Sequence, residues 1–418
     1  MGRRIMAAHA SAEGREGVTP DAVSAGACAL DCFLRGAGDP LLHAQQLLAQ
    51  RPTFAEGYVL QMAFAVAAKE PASLALLEET LLTAGRARVS WDARSRAHLA
   101  AAHAWLGREP ALAAERYAAI LREWPHDVLA LRLAQSCYFF LGQTAALREV
   151  VDLVWHSWRE EMPGFQYVLA LAAFACAENG DAARALELAR RALAIDPDFP
   201  AAIHAVAHAL FESGEHARGA LWLREQRPHW AVNSRMSGHN AWHLAMFEHE
   251  SGNATRALSI LDRHLLPPSP IAIGDAADGT ALLWRLQLDG VDPGDRWGRL
   301  SDFWAAHSVP GFWGLLDVHA AIAFNAAGHV DRARAHAVAI ERCANGSTTA
   351  AELARVALSA VRAIGDFAAG DWIAAAARLR PLLFSAAQLG GSHAQHEIFA
   401  RMLRYAQVRC HEGETVAA

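Results

Sequence analysis

Apolar residues recur along this chain with a helical period that is broken at regular intervals by glycine. From Gln166 to Pro197, Leu169, Ala172, Ala173 and Cys176 keep one face apolar, and Gly180-Asp181 interrupts it. Ala185, Leu188, Ala189, Ala192 and Leu193 then build a second face before Asp196-Pro197. The pattern predicts a helical hairpin with small residues at the crossing. The same punctuation returns with Ile203, Val206, Ala207 and Leu210, then Gly214, then Gly219, Ala220 and Leu223. Further hairpins are predicted around Gly252, Gly328 and Gly370, and earlier ones around Gly107 and Gly142.

Gly180, Gly214 and Gly252 are spaced 34 and 38 residues apart, close to the tetratricopeptide period of about 34. The next turn glycine, Gly328, leaves room for one degenerate unit. A single hairpin cannot bury its own apolar face, so the units are expected to stack into an all-α solenoid, a right-handed superhelix with a concave inner side. The expected plan is one continuous domain: a flexible segment 1–18, N-terminal hairpins over 19–160, the best-formed repeats over 161–266, an irregular insertion at 267–310 and C-terminal hairpins over 311–410. The insertion is read from Pro267-Pro268-Ser269-Pro270 and Gly274-Asp275, which is loop chemistry.

Composition narrows the partners. The net charge is −6, with 38 Lys+Arg against 44 Asp+Glu, so no basic excess exists to neutralise phosphates and nucleic acid is not an expected partner. No window reaches the roughly 18 apolar residues of a membrane span. The six cysteines are scattered, Cys28 and Cys32 lie one helical turn apart instead of forming a CxxC, and a reduced, cytoplasmic protein is expected.

Candidate chemistry gathers in the histidines, of which there are 21. His204 and His208 are four apart and share a helix face, and His239 and His243 repeat the spacing in the first helix of the next unit. Two imidazoles at i, i+4 present two nitrogens to Zn²⁺, Fe²⁺ or Mn²⁺, so these four residues are the candidate ligands of a divalent metal. Alternatively they form a metal-free acid–base cluster, or simply hydrogen-bond neighbouring helices. Neither pair carries the Glu of HExxH. Asp317 and His319 occupy the corresponding part of a later hairpin and join His208 and His243 as candidate catalytic residues.

Asp278 and Arg285 lie two helical turns apart; Arg285 could clamp an anionic group while Asp278 caps the helix. Gln395, in Gly390-Gly391-Ser392-His393-Ala394-Gln395, reads as part of a capping box with Ser392. Trp242, Trp284 and Asn240 complete the candidate substrate-binding set with Asp278, Arg285 and Gln395, because tryptophans beside a few polar groups are the usual lining of a small-molecule site.

The stretch from His204 through Leu266, with His239-Asn240-Ala241-Trp242-His243-Leu244-Ala245 and Glu248, resembles the tetratricopeptide repeat protein 38 family. So do Asp278 to Leu286, Asp317-Val318-His319-Ala320 and the Gly390–Gln395 block. The first half of the chain matches mainly in its hairpin pattern. The resemblance implies an α-solenoid with a histidine-rich inner surface, found in intracellular proteins, and it implies no particular reaction. His393, His396 and Ala241 depart from the family pattern. The residues themselves point to a small-molecule enzyme or binder with hydrolytic or related acid–base chemistry, and a homo-oligomer is compatible with that reading. The alternative is a scaffold that takes a peptide partner in the concave groove.

Overall fold

The computed structural model describes residues 20–231, 235–268 and 270–417. The expected flexible segment 1–18 lies outside the described residues, as does Ser269. Among the described residues the protein is helical throughout and contains no strand. No helix is long and apolar enough to cross a membrane.

The helices come in two kinds. Phe165–Glu178, Pro200–Glu212, Ile273–Leu288 and Gly314–Ala326 are buried almost all round. Others are one-faced: Ala182–Ile195 buries only Ala185, Leu188, Ala189 and Ala192, and its N-terminus is capped by Asp181, which accepts from the Arg184 amide. A helix apolar on one stripe covers one neighbour, whereas a helix buried all round is flanked by several. Polar residues on a helix buried all round are therefore rare and need partners. The candidate histidines all sit on such buried helices.

The turn glycines fall at helix ends: Gly142, Gly180, Gly214, Gly252, Gly328 and Gly370 adopt positive φ, whereas Gly107 caps its helix at φ −69° and Arg108 after it takes the positive φ. The expected irregular insertion at 267–310 is corrected. Pro267, Pro268 and Pro270 only precede a first helix, Ile273–Leu288, and a second, Arg296–His307, follows the positive-φ Gly290. The segment is thus a pair of helices, in the stretch where the glycine spacing left room for one more unit. Asp278, expected as a helix cap, lies in the second turn of Ile273–Leu288, whose N-cap is Ala272.

The packing gathers into two compact units. The first takes residues up to 139, 144–213 and 225–237; the second takes 140–143, 214–224 and 238 onward. In the first, Arg94 is 5% exposed and donates to Asp127 (2.7 Å) and Glu56 (2.9 Å), while His98 Nε2 stands 2.8 Å from the same Asp127 oxygen. This buried ionic knot ties Ala55–Ala68 to Ala93–Leu106 and to the residue preceding Val128–Leu141. In the second, Ile273–Leu288 packs on both Gly314–Ala326 and His393–Ala417, which sets three chemistry-bearing helices side by side.

Candidate active site

In the second unit, helix Ser237–Glu250 carries Asn240, Trp242 and His243, all buried, and His239, whose side chain is 25% exposed. His239 Nδ1 lies 2.6 Å from Asp278 Oδ2 and donates to it. That bond selects the tautomer with the lone pair on Nε2. The other oxygen of Asp278 accepts from Gln395 Nε2 at 3.4 Å. Gln395 is itself aimed by the start of its helix: its Oε1 accepts from the Ser392 amide at 3.0 Å, which turns the NH₂ toward Asp278. The capping box expected from Ser392 and Gln395 and the polar site are therefore one device.

Trp242 stacks on His239 with ring centroids 5.1 Å apart, and its ring stands 4.7 Å from that of His243. Asp275, one turn before Asp278, lies against Gly238 at the start of the histidine helix. Burial pushes its carboxyl up to about 6, the charge of Asp278 adds to the rise, and His239 opposes it.

His319 completes the group. Its Nδ1 donates to the Leu315 carbonyl at 2.6 Å, so the lone pair is on Nε2, which is buried and has no hydrogen-bond partner among the described residues. Burial pulls its pKa down to about 4, while the Leu315 carbonyl and Asp278 act the other way. The ring is neutral at pH 7. Among the described residues the Asn240 amide, at both its oxygen and its nitrogen, and the Trp242 indole N–H also lack hydrogen-bond partners. A buried polar atom left unmade costs roughly 1–3 kcal/mol, so such groups mark places where a ligand can repay the cost.

Three expected residues take other roles. Arg285 is 1% exposed and ties helices together, donating to Ala281 O, Ala394 O and Glu397. Asp317 accepts from the Gly311 amide with both oxygens, at 3.2 and 3.1 Å, and its carbonyl accepts from His336. It sits two residues from His319, hence on nearly the opposite side of the helix. Trp284 packs among Trp297 and Phe367.

In the first unit, His204 and His208 lie on helix Pro200–Glu212, which packs on Phe165–Glu178. Their Nε2 atoms are 3.0 Å apart, so one donates to the other. His208 Nδ1 stands 2.9 Å from Glu178 Oε1, and Phe174 stacks on His204. Glu178 and Asp275 are site residues that the sequence reading missed. Each unit thus sets a carboxylate beside Nδ1 of one member of an i, i+4 histidine pair, an arrangement that suits general-base work or metal ligation. No family model matches the chain.

Proposed function

We propose that the protein acts on or binds a small polar molecule by acid–base chemistry centred on His239 and Asp278, within a tetratricopeptide-like solenoid of cytoplasmic location. The observation that carries the reading is the Gln395–Asp278–His239 chain of hydrogen bonds, which orients an imidazole that is still reached by solvent. In this scheme His239 Nε2 takes a proton from water or from a substrate hydroxyl, and Asp278 stabilises the imidazolium that results. The Trp242 N–H supplies a donor, and His319 Nε2 an acceptor, for the polar groups of the ligand. Hydrolysis of an ester, amide or phosphate ester is the reaction class that this set serves.

The histidine pairs also fit a divalent ion. The 3.0 Å between His204 and His208 Nε2 atoms matches two nitrogens bound at about 2.0–2.1 Å to one centre, and Glu178 beside His208 is a supporting carboxylate of the expected kind. Such an ion would polarise a carbonyl or activate water. The resemblance to the tetratricopeptide repeat protein 38 family and the six free cysteines support the solenoid and the reducing compartment.

The test screens small esters, amides and phosphate esters by thermal shift on the full chain, then assays every hit for turnover. His239→Gln and Asp278→Asn should each lower turnover by about 10²-fold or more while leaving the fold unchanged by circular dichroism. Hits that turn over equally well in both variants would sink the proposal.

A further inference from the structure

The first unit carries a second group of side chains that could hold a metal, remote in sequence from the residues of the candidate active site. Cys28 and Cys32 stand at i, i+4 on helix Pro20–Arg35, and His43 stands in the first turn of helix Pro40–Gln50, which packs against it. The connection is tightly specified. Gly36 and Gly38 adopt positive φ, and Asp39 caps the second helix by accepting from the Leu42 amide at 2.9 Å. A Cβ built on Gly38 would meet Cys32 Sγ at 3.1 Å, so the turn runs against that thiol. The result brings two sulfurs and an imidazole nitrogen together: Cys28 Sγ is 3.8 Å from His43 Nε2, and the three donor atoms all lie within 4.8 Å of one another.

The 3.8 Å between Cys28 Sγ and His43 Nε2 is that of ligands on one tetrahedral centre, and no donor atom of the three is more than 4.8 Å from another. Bond lengths of about 2.3 Å to sulfur and 2.0–2.1 Å to nitrogen put neighbouring donors about 3.6 Å (S to N) and 3.8 Å (S to S) apart. A redox pair is the less suitable reading, since two cysteines one helical turn apart in an intact helix point along it with no need to bond, and all six cysteines are free. Two thiolates and an imidazole select borderline-soft ions over Mg²⁺, Ca²⁺ or Mn²⁺. Cys28 is exposed, while Cys32 and His43 are half-buried, so an ion can enter from solvent and keep one position open.

We propose that Cys28, Cys32 and His43 form a zinc-class site with three protein ligands and an open fourth position. The probe is Co²⁺, titrated into the reduced, metal-free full-length protein. Two thiolates on a tetrahedral ion give a sulfur-to-cobalt charge-transfer band and intense visible d–d bands, which histidine-only ligation elsewhere in the chain cannot give. Cys28→Ser and Cys32→Ser should each weaken or abolish the charge-transfer band, and His43→Ala should lower Co²⁺ affinity by about tenfold or more. His208→Ala and His239→Gln should leave the band intact, which separates this site from the histidine pairs. Added Zn²⁺ should displace the cobalt with loss of colour. Absence of any charge-transfer band, or a band unchanged in both serine variants, overturns the assignment; circular dichroism of the serine variants shows that their fold is kept.

Discussion

Gly238 opens the histidine helix with no side chain, and the Asp275 carboxylate uses the space. A Cβ there would lie 1.8 Å from Asp275 Oδ1 and 2.6 Å from its Cγ, so Gly238→Ala must drive the carboxylate out. Forced repacking of this kind costs about 1–3 kcal/mol. Moving an anion away from a helix N-terminus adds about 0.3–1 kcal/mol. Alanine returns up to about 1 kcal/mol of helix propensity, which leaves a net loss of about 0.3–3 kcal/mol by urea unfolding. The decisive measurement is a double-mutant cycle with Asp275→Ala. Removing the carboxylate removes the clash, so the same Gly238→Ala change should become neutral or stabilising in that background. An equal cost in both backgrounds would refute the close approach. The pH dependence gives a second reading of the same contact. Asp275 is raised from the ordinary 3.8 to about 6, so between those values the folded state holds more protons than the unfolded one. Stability from this group is therefore lost as pH rises through 6, a slope that Asp275→Ala should flatten.

Three other outcomes are expected. His319, lowered from 6.5 to about 4, is protonated in the unfolded chain before the folded one, so stability should fall as pH drops from 6.5 toward 4; His319→Gln should remove that part of an acid-unfolding curve, a difference of a few kcal/mol at pH 4. Lys69, lowered from 10.5 to about 7 mainly by burial, should make stability rise between pH 7 and 10 by up to about 1.4 kcal/mol per unit, a slope measured by denaturant midpoints and absent in Lys69→Met. Arg94→Met leaves Asp127 and Glu56 buried without their cation and should cost about 3–5 kcal/mol in a urea melt, far more than removal of the exposed Arg86, whose nearest acid is 3.8 Å away at the surface.

The hairpins were legible because their punctuation is local. Gly180 followed by the capping Asp181 writes the end of one helix and the start of the next in two residues, and small residues at the crossing mark the packed faces. The helix pair over 273–307 was hidden by chemistry of the same kind. Three prolines and Gly274-Asp275 read as a loop, yet the prolines precede the first helical turn, and Asp275 lies inside that turn where an acid is favourable. The helix behind them, with Leu282, Leu283 and Leu286 buried beside polar Asp278 and Arg285, lacks a clean apolar stripe because it is buried on all sides.

The site divides along the same line. His239, Asp278 and Gln395 could each be singled out from their neighbours, but the bonds joining them span 39 and 117 residues and depend on three helices lying side by side. No local period encodes that. Glu178 and Asp275 carried no signal at all, being single carboxylates next to turn residues. Arg285 misled for the opposite reason: an arginine near an acid suggests an anion clamp, yet here the guanidinium meets two backbone carbonyls and Glu397, so its charge holds helices together. The Cys28–Cys32 pair shows in the sequence with the same i, i+4 spacing as the histidines, where it reads only as the absence of a CxxC. What the spacing lacked was the third donor, and His43 is supplied only by the turn at Gly36–Asp39, which folds the next helix back onto the thiols. In both places a helical spacing presents two donors, and a neighbouring helix decides what chemistry they can do.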